Sequence, residues 1–199
     1  MIARRVLPLF YLIFLAFGRG GTQNRQPTPA ESPARQYFTD VSLVNQNGEK
    51  LHLYSDLLQG KIVIINSFFT SCENSCPRMS ALFAGLQERL GARLGHDVFL
   101  LSFTVDPQID TPERLKAYGE RFNAKPGWIF LTGPTENVQF ALNKFGQRVD
   151  NKDQHFNLFI IGNEATGLWK KVLPMRQSGE MLSAAELMEI VDTVIHDRP

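Results

Sequence analysis

The sequence predicts an α/β sandwich: a central mixed β-sheet flanked by helices, with an extra hairpin at its N-terminal side. Three observations predict it. Residues 61–69 (KIVIINSFF) form a continuous apolar, β-branched run, the signature of a strand covered on both faces. From that run onward, strand-like and helix-like segments alternate. The alternation ends in two strand-like segments joined through Gly162 and Asn163, which predicts a closing antiparallel pair.

Each element has its own local reason. Residues 38–44 and 50–54, with Asn47-Gly48 between them, predict the hairpin. After the strand at 61–69, Pro77 stands near the first turn of a helix running to about Leu90, with Met79, Leu82, Phe83, Leu86 and Leu90 at helical spacing. Residues 98–105 (VFLLSFTV) predict a second buried strand. Thr111-Pro112-Glu113 offers a cap, a proline at the first helical position and an early acid, opening a helix that carries Leu115, Tyr118 and Phe122. Residues 128–131 predict a short strand, and Thr135 a cap for a helix through Phe145. Residues 156–161 and 167–172 predict the closing pair, and Ser183-Ala184-Ala185-Glu186 a capping box for the last helix. The order from Lys61 is β-α-β-α-β-α-β-β-α, which suits a thioredoxin-like sandwich.

Three regions precede or make up this domain. Residues 1–21 carry Arg4-Arg5, an apolar run from Val6 to Phe17 and a glycine-rich break, which reads as an export signal. The run is shorter than the roughly 20 residues of a membrane span, favouring a cleaved signal peptide over a signal anchor. No A-x-A site precedes the break, so the anchor stays open. No cysteine offers a lipoprotein route there. Residues 22–36 are polar with three prolines and predict a flexible tether, and residues 37–199 the folded domain. The expected location is exported: periplasmic, or on the outer face of the cytoplasmic membrane, with membrane attachment only through an uncleaved N-terminus. Lys and Arg number 21 against 20 acids, and losing Arg4, Arg5 and Arg19 takes the formal charge from +1 to −2. That balance argues against a nucleic-acid partner.

The chain has two cysteines, Cys72 and Cys76, so a disulfide framework is excluded. They follow directly on the central strand, at a helix N-terminus whose free N–H groups lower thiol pKa values. Their spacing places Cβ atoms about 5–6 Å apart on a helix, which suits two ligands of one metal better than a disulfide. A local disulfide and a redox pair remain alternatives. Two thiolates and an imidazole suit copper, and of the four histidines His155, in the polar loop before a strand, is best placed. His52 on an edge strand, His96 in a turn and His196 at a helix C-terminus need no metal. Met79 has core spacing, while Met175 and Met181 stand singly in a loop, so packing or chance is preferred to copper ligation for them. Turn formation and capping account for Asp106-Pro107 and Asp110-Thr111-Pro112.

T-S-C-E-N-S-C-P after an apolar strand, Thr104-Val105-Asp106-Pro107 leading to Asp110-Thr111-Pro112-Glu113, Leu131-Thr132-Gly133, and a histidine before the late hairpin together resemble the Sco/SenC family. The resemblance spans residue 38 to the C-terminus. It implies a thioredoxin-like fold, copper as Cu(I) or Cu(II) held by Cys72, Cys76 and His155, and delivery to the copper-receiving subunit of cytochrome c oxidase, whose dinuclear copper centre such proteins help to build. Other copper or thiol donors would be further partners. Some members of the family are thought to reduce that subunit's cysteines instead, which leaves a thiol–disulfide oxidoreductase acting through Cys72 and Cys76 as the alternative. A peroxidase would want Thr-x-x-Cys, and Thr70 stands only two residues before Cys72. The chain departs from many relatives in carrying Glu73 after the first cysteine, where they have proline. It also has Gln154 and Phe156 around the histidine, where they have Asp and Ser or Thr.

Overall fold

The structure, a computed structural model, describes residues 32–155 and 157–197. The targeting segment and most of the expected tether lie outside the described residues. Among the described residues, seven strands form one sheet in the order β2-β1-β5-β4-β3-β6-β7. Its centre is parallel: β3 (Ile62–Phe68), β4 (Val98–Thr104) and β5 (Trp128–Thr132) run side by side. All seven residues of β3 are buried, as a continuous apolar run demands when helices cover both faces. β6 (Phe159–Asn163) pairs antiparallel with β3, and β7 (Leu168–Val172) antiparallel with β6. On the far side β1 (Ser42–Asn45) pairs antiparallel with β5 and with β2 (Lys50–His52).

The helices are α1 (Pro33–Phe38), α2 (Ser75–Leu90), α3 (Pro112–Glu120), α4 (Thr135–Lys144) and α5 (Ala184–Ile195). Strand alternation sorts the aromatic core into two layers. On one face Phe83 of α2 stacks on Phe159 at 4.8 Å and meets Trp128 edge-on at 5.7 Å, and Phe68 packs on Tyr118 of α3. On the other, Phe38, Phe103 and Trp169 gather around Phe145. Each such ring removed from water contributes about 2–3 kcal/mol, and these contacts clamp β3 from both sides. Beneath α5, Gly85 lets α2 approach so closely that a Cβ there would lie 2.7 Å from that of Ala184.

Several boundaries differ from the sequence reading. The ordered chain begins before residue 37: Ser32 accepts a hydrogen bond from Arg35 N at 3.1 Å and Pro33 opens α1, so 33–36 are helix where a tether was expected and Phe38 ends a helix instead of starting a strand. β2 stops at His52 because Asp40 accepts from the backbone N–H groups of Tyr54 and Ser55, capping a wide helical turn (Leu53–Leu58) that buries Leu53, Tyr54, Leu57 and Leu58. Thr135 is the first residue of α4, after Pro134, and caps nothing. Gly162 lies inside β6, not in the turn: Trp169 packs directly over it, where a Cβ would fall 2.2 Å from the indole. The capping box at Ser183 and Glu186 is present in full.

Candidate metal centre

The centre is built at the C-terminal end of β3. The ladder continues one step beyond the strands through Val105 N to Phe68 O at 2.8 Å, and the chain then turns, Cys72 N donating to Phe69 O at 3.2 Å. What fixes that turn is Asp110, fully buried behind it. Its carboxylate accepts from Thr70 N (3.1 Å), Thr70 Oγ1 (2.5 Å) and Thr104 Oγ1 (2.5 Å), while Arg114 donates to Thr70 Oγ1 at 3.2 Å. The residue two before Cys72 is thereby bolted to the end of β4. From the sequence, turn formation and capping accounted for Asp110, one of three acids in the stretch Thr104–Glu113 that forms one of the family motifs.

Asn74 precedes α2, so Cys76 is its second residue. Its N–H is among the groups left without a helical partner, and it donates to Cys72 Sγ at 3.4 Å. The two thiols are free and differ in character: Cys72 is half-buried and Cys76 buried. Burial works against ionisation of Cys72, but hydrogen bonds from the Cys76 thiol and from the N–H groups of Cys76 and Asn74 outweigh it, and its pKa falls below the ordinary value. Burial dominates at Cys76 and, with its hydrogen bond to the Cys72 sulfur, pushes that thiol well up. The first proton thus leaves Cys72.

The third donor arrives through topology. Because β6 runs antiparallel to β3, with Ile65 opposite Ile160, the segment before β6 must lie at the same end of the sheet as the cysteine loop. That segment makes one tight turn, Lys152–Gln154, capped by Asn151, whose side chain accepts from Asp153 N. Lys152 anchors the turn from outside, donating to Asp106 at 2.6 Å. His155 Nδ1 lies 2.9 Å from the Lys152 carbonyl, and a carbonyl can only accept, so Nδ1 carries the proton and Nε2 keeps its lone pair. Phe69 meets the imidazole edge-on at 5.4 Å. Nε2 stands 3.4 Å from Cys76 Sγ.

The donor atoms of Cys72, Cys76 and His155 all lie within 4.8 Å of one another, the one such group among the described residues. A metal about 2.3 Å from each sulfur and about 2.0 Å from nitrogen needs donors spaced in this range. The set offers three donors, two of them soft thiols, and among the described residues no fourth His, Cys, Asp or Glu joins the group to complete a tetrahedral zinc site. His52 ends the edge strand β2 and pairs with Asp56, His96 lies in a turn, and His196 caps the C-terminus of α5.

Comparison with known proteins agrees. A family model described as SCO1/SenC matches residues 29–184. The SCO1 protein homolog of Bacillus subtilis is 37% identical over 138 residues, covering 67% of each chain. The structure of BsSco, described as a member of the Sco family of cytochrome c oxidase assembly proteins, is 28% identical, with a TM-score of 0.61 over 79% of this chain and 92% of that one. Yeast Sco1 with copper bound, 24% identical, shares the fold at a TM-score of 0.62 over 80% of this chain and 93% of the yeast chain. Motif order, sheet topology and these likenesses lead to one assignment: the chain belongs to the SCO1/SenC family.

Proposed function

We propose that this protein is a copper metallochaperone in which Cys72, Cys76 and His155 hold the cation, and that it hands copper to the copper-receiving subunit of cytochrome c oxidase during assembly of the dinuclear centre. The observation that carries the proposal is the convergence of three soft or borderline donors within 4.8 Å from two segments far apart in sequence. Thiolates favour Cu(I), and an imidazole added to two thiolates also accommodates Cu(II). Copper here is cargo, so the site must release it. A three-donor site with one half-buried sulfur, Cys72, leaves a side from which a recipient's ligands can enter.

Residues 1–21 would deliver the chain to the exported side, with the residues from α1 (Pro33–Phe38) onward as the copper-carrying domain. Among the described residues no helix is long and apolar enough to cross a membrane. The association with oxidase assembly is supported by what is recorded of BsSco, and copper as the cargo by the copper-bound yeast protein.

The test is a transfer assay. Copper-loaded protein is mixed anaerobically with the reduced, metal-free copper domain of the oxidase subunit, the two are separated, and metal and free thiols are counted on each. Copper moving to the recipient with its thiol count unchanged apart from metal binding is the expected result. If instead an oxidised recipient gains two thiols while Cys72 and Cys76 become a disulfide, and no copper is passed from the loaded protein, the function is thiol reduction.

A further inference from the structure

Beside the metal centre lies a groove of about 390 Å³ lined by three methionines that the centre does not use. One wall is Glu73, Asn74 and Ser75, the residues between the two cysteines; three methionines, Met79, Met175 and Met181, line the rest together with Arg78, Asn157 and Pro174. Met175 and Met181 are not loose. They face one another in an antiparallel bridge, held by Leu182 N to Pro174 O at 2.7 Å and Arg176 N to Glu180 O at 2.8 Å. Met79 comes from α2, one turn beyond Cys76, and is 3% exposed.

Packing explains buried Met79. It does not explain Met175, which is 44% exposed. A thioether is a soft, neutral donor suited to Cu(I) and poor for harder cations. We propose that Met175 and Met181, with Met79, form a thioether site for Cu(I) that stages the cation next to Cys72, Cys76 and His155. The proposal rests on the copper reading above and adds a second, weaker binding step to it. On passage to the centre, Cu(I)–thioether bonds break and Cu(I)–thiolate bonds form. The thiol protons leave to solvent, and copper stays Cu(I), so no electron donor is required.

The experiment is an anaerobic Cu(I) titration of the full chain against a chromophoric Cu(I) chelator. It is repeated on Met175→Leu/Met181→Leu, on Met188→Leu as a control outside the groove, and on Cys72→Ser/Cys76→Ser/His155→Ala. Wild type and Met188→Leu should each take one tight and one weak equivalent. The leucine pair should lose only the weak one, and the triple variant only the tight one, with sulfur-only X-ray absorption and shifted methyl resonances of Met175 and Met181. A single, tight equivalent in wild type, or a weak equivalent that survives the leucine pair, overturns the staging site. Wild type that binds only the weak, methionine-dependent equivalent overturns the copper centre instead and leaves the thioether site standing.

Discussion

Cys76 Sγ and His155 Nε2 lie 3.4 Å apart although 79 positions separate them in the chain. The contact exists because β6 pairs antiparallel with β3, which folds the segment before β6 back onto the end of the strand that carries the cysteines. The sheet, more than any local motif, assembles the centre.

The two thiols should react in sequence. In the metal-free protein burial works against ionisation of Cys72 but is outweighed by hydrogen bonds from the Cys76 thiol and the helix N-terminal N–H groups, which lower its pKa, whereas burial raises that of Cys76. A lowered pKa puts thiolate at lower pH, so the rate–pH curve for alkylation of Cys72 should lie below that of an ordinary thiol. Cys76 should stay unlabelled until the chain is denatured. Mass spectrometry after timed iodoacetamide exposure reads both; equal labelling at neutral pH would contradict the difference in environment.

Asp110 should matter more to stability than its place in a turn implies. Asp110→Ala strips the acceptor from Thr70 and from the Thr104 hydroxyl in a fully buried setting. A loss of about 3 kcal/mol is expected from urea denaturation with an unchanged m-value. Copper affinity should fall as well, because Thr70 leads into Cys72. A loss below about 1 kcal/mol would mean that the cysteine loop is held by something else.

Lys152 should separate affinity from stability. Its ammonium is held above the usual lysine range chiefly by its hydrogen bond to Asp106, and that pair fixes the turn whose carbonyl orients His155. Lys152→Met should leave the unfolding midpoint nearly unchanged, as expected for a pair with a solvent-exposed partner, while copper affinity falls about tenfold. Unchanged affinity would show that the imidazole keeps its orientation without the ion pair.

Much of this was legible in the sequence wherever a signal is local. The apolar run at 62–68, the core spacing of α2, the Thr111-Pro112 start of α3 and the Ser183 capping box all rest on neighbouring residues and appear as expected. The misread elements depend on distant partners. Nothing near Tyr54 announces that Asp40, 14 residues earlier, will cap a helical turn there, and nothing near Gly162 announces the Trp169 indole above it. At the site, the cysteines stood out by spacing. His155 was legible from its polar loop before a strand and from the family resemblance, but its approach to the cysteines depends on the pairing of β6 with β3, and the roles of Asp106, Asp110 and Lys152 became visible only with the chain folded.

The central claim is that Cys72, Cys76 and His155 together hold copper, and an anaerobic copper titration of wild type and His155→Ala, followed by absorption and metal content, tests it most directly. Wild type should retain one tight equivalent after reduction and reloading, with thiolate-to-copper charge-transfer bands in the Cu(II) form, and His155→Ala should bind more weakly with those bands altered. A His155→Ala protein that binds copper as tightly as its parent, with the same spectrum, would contradict the account.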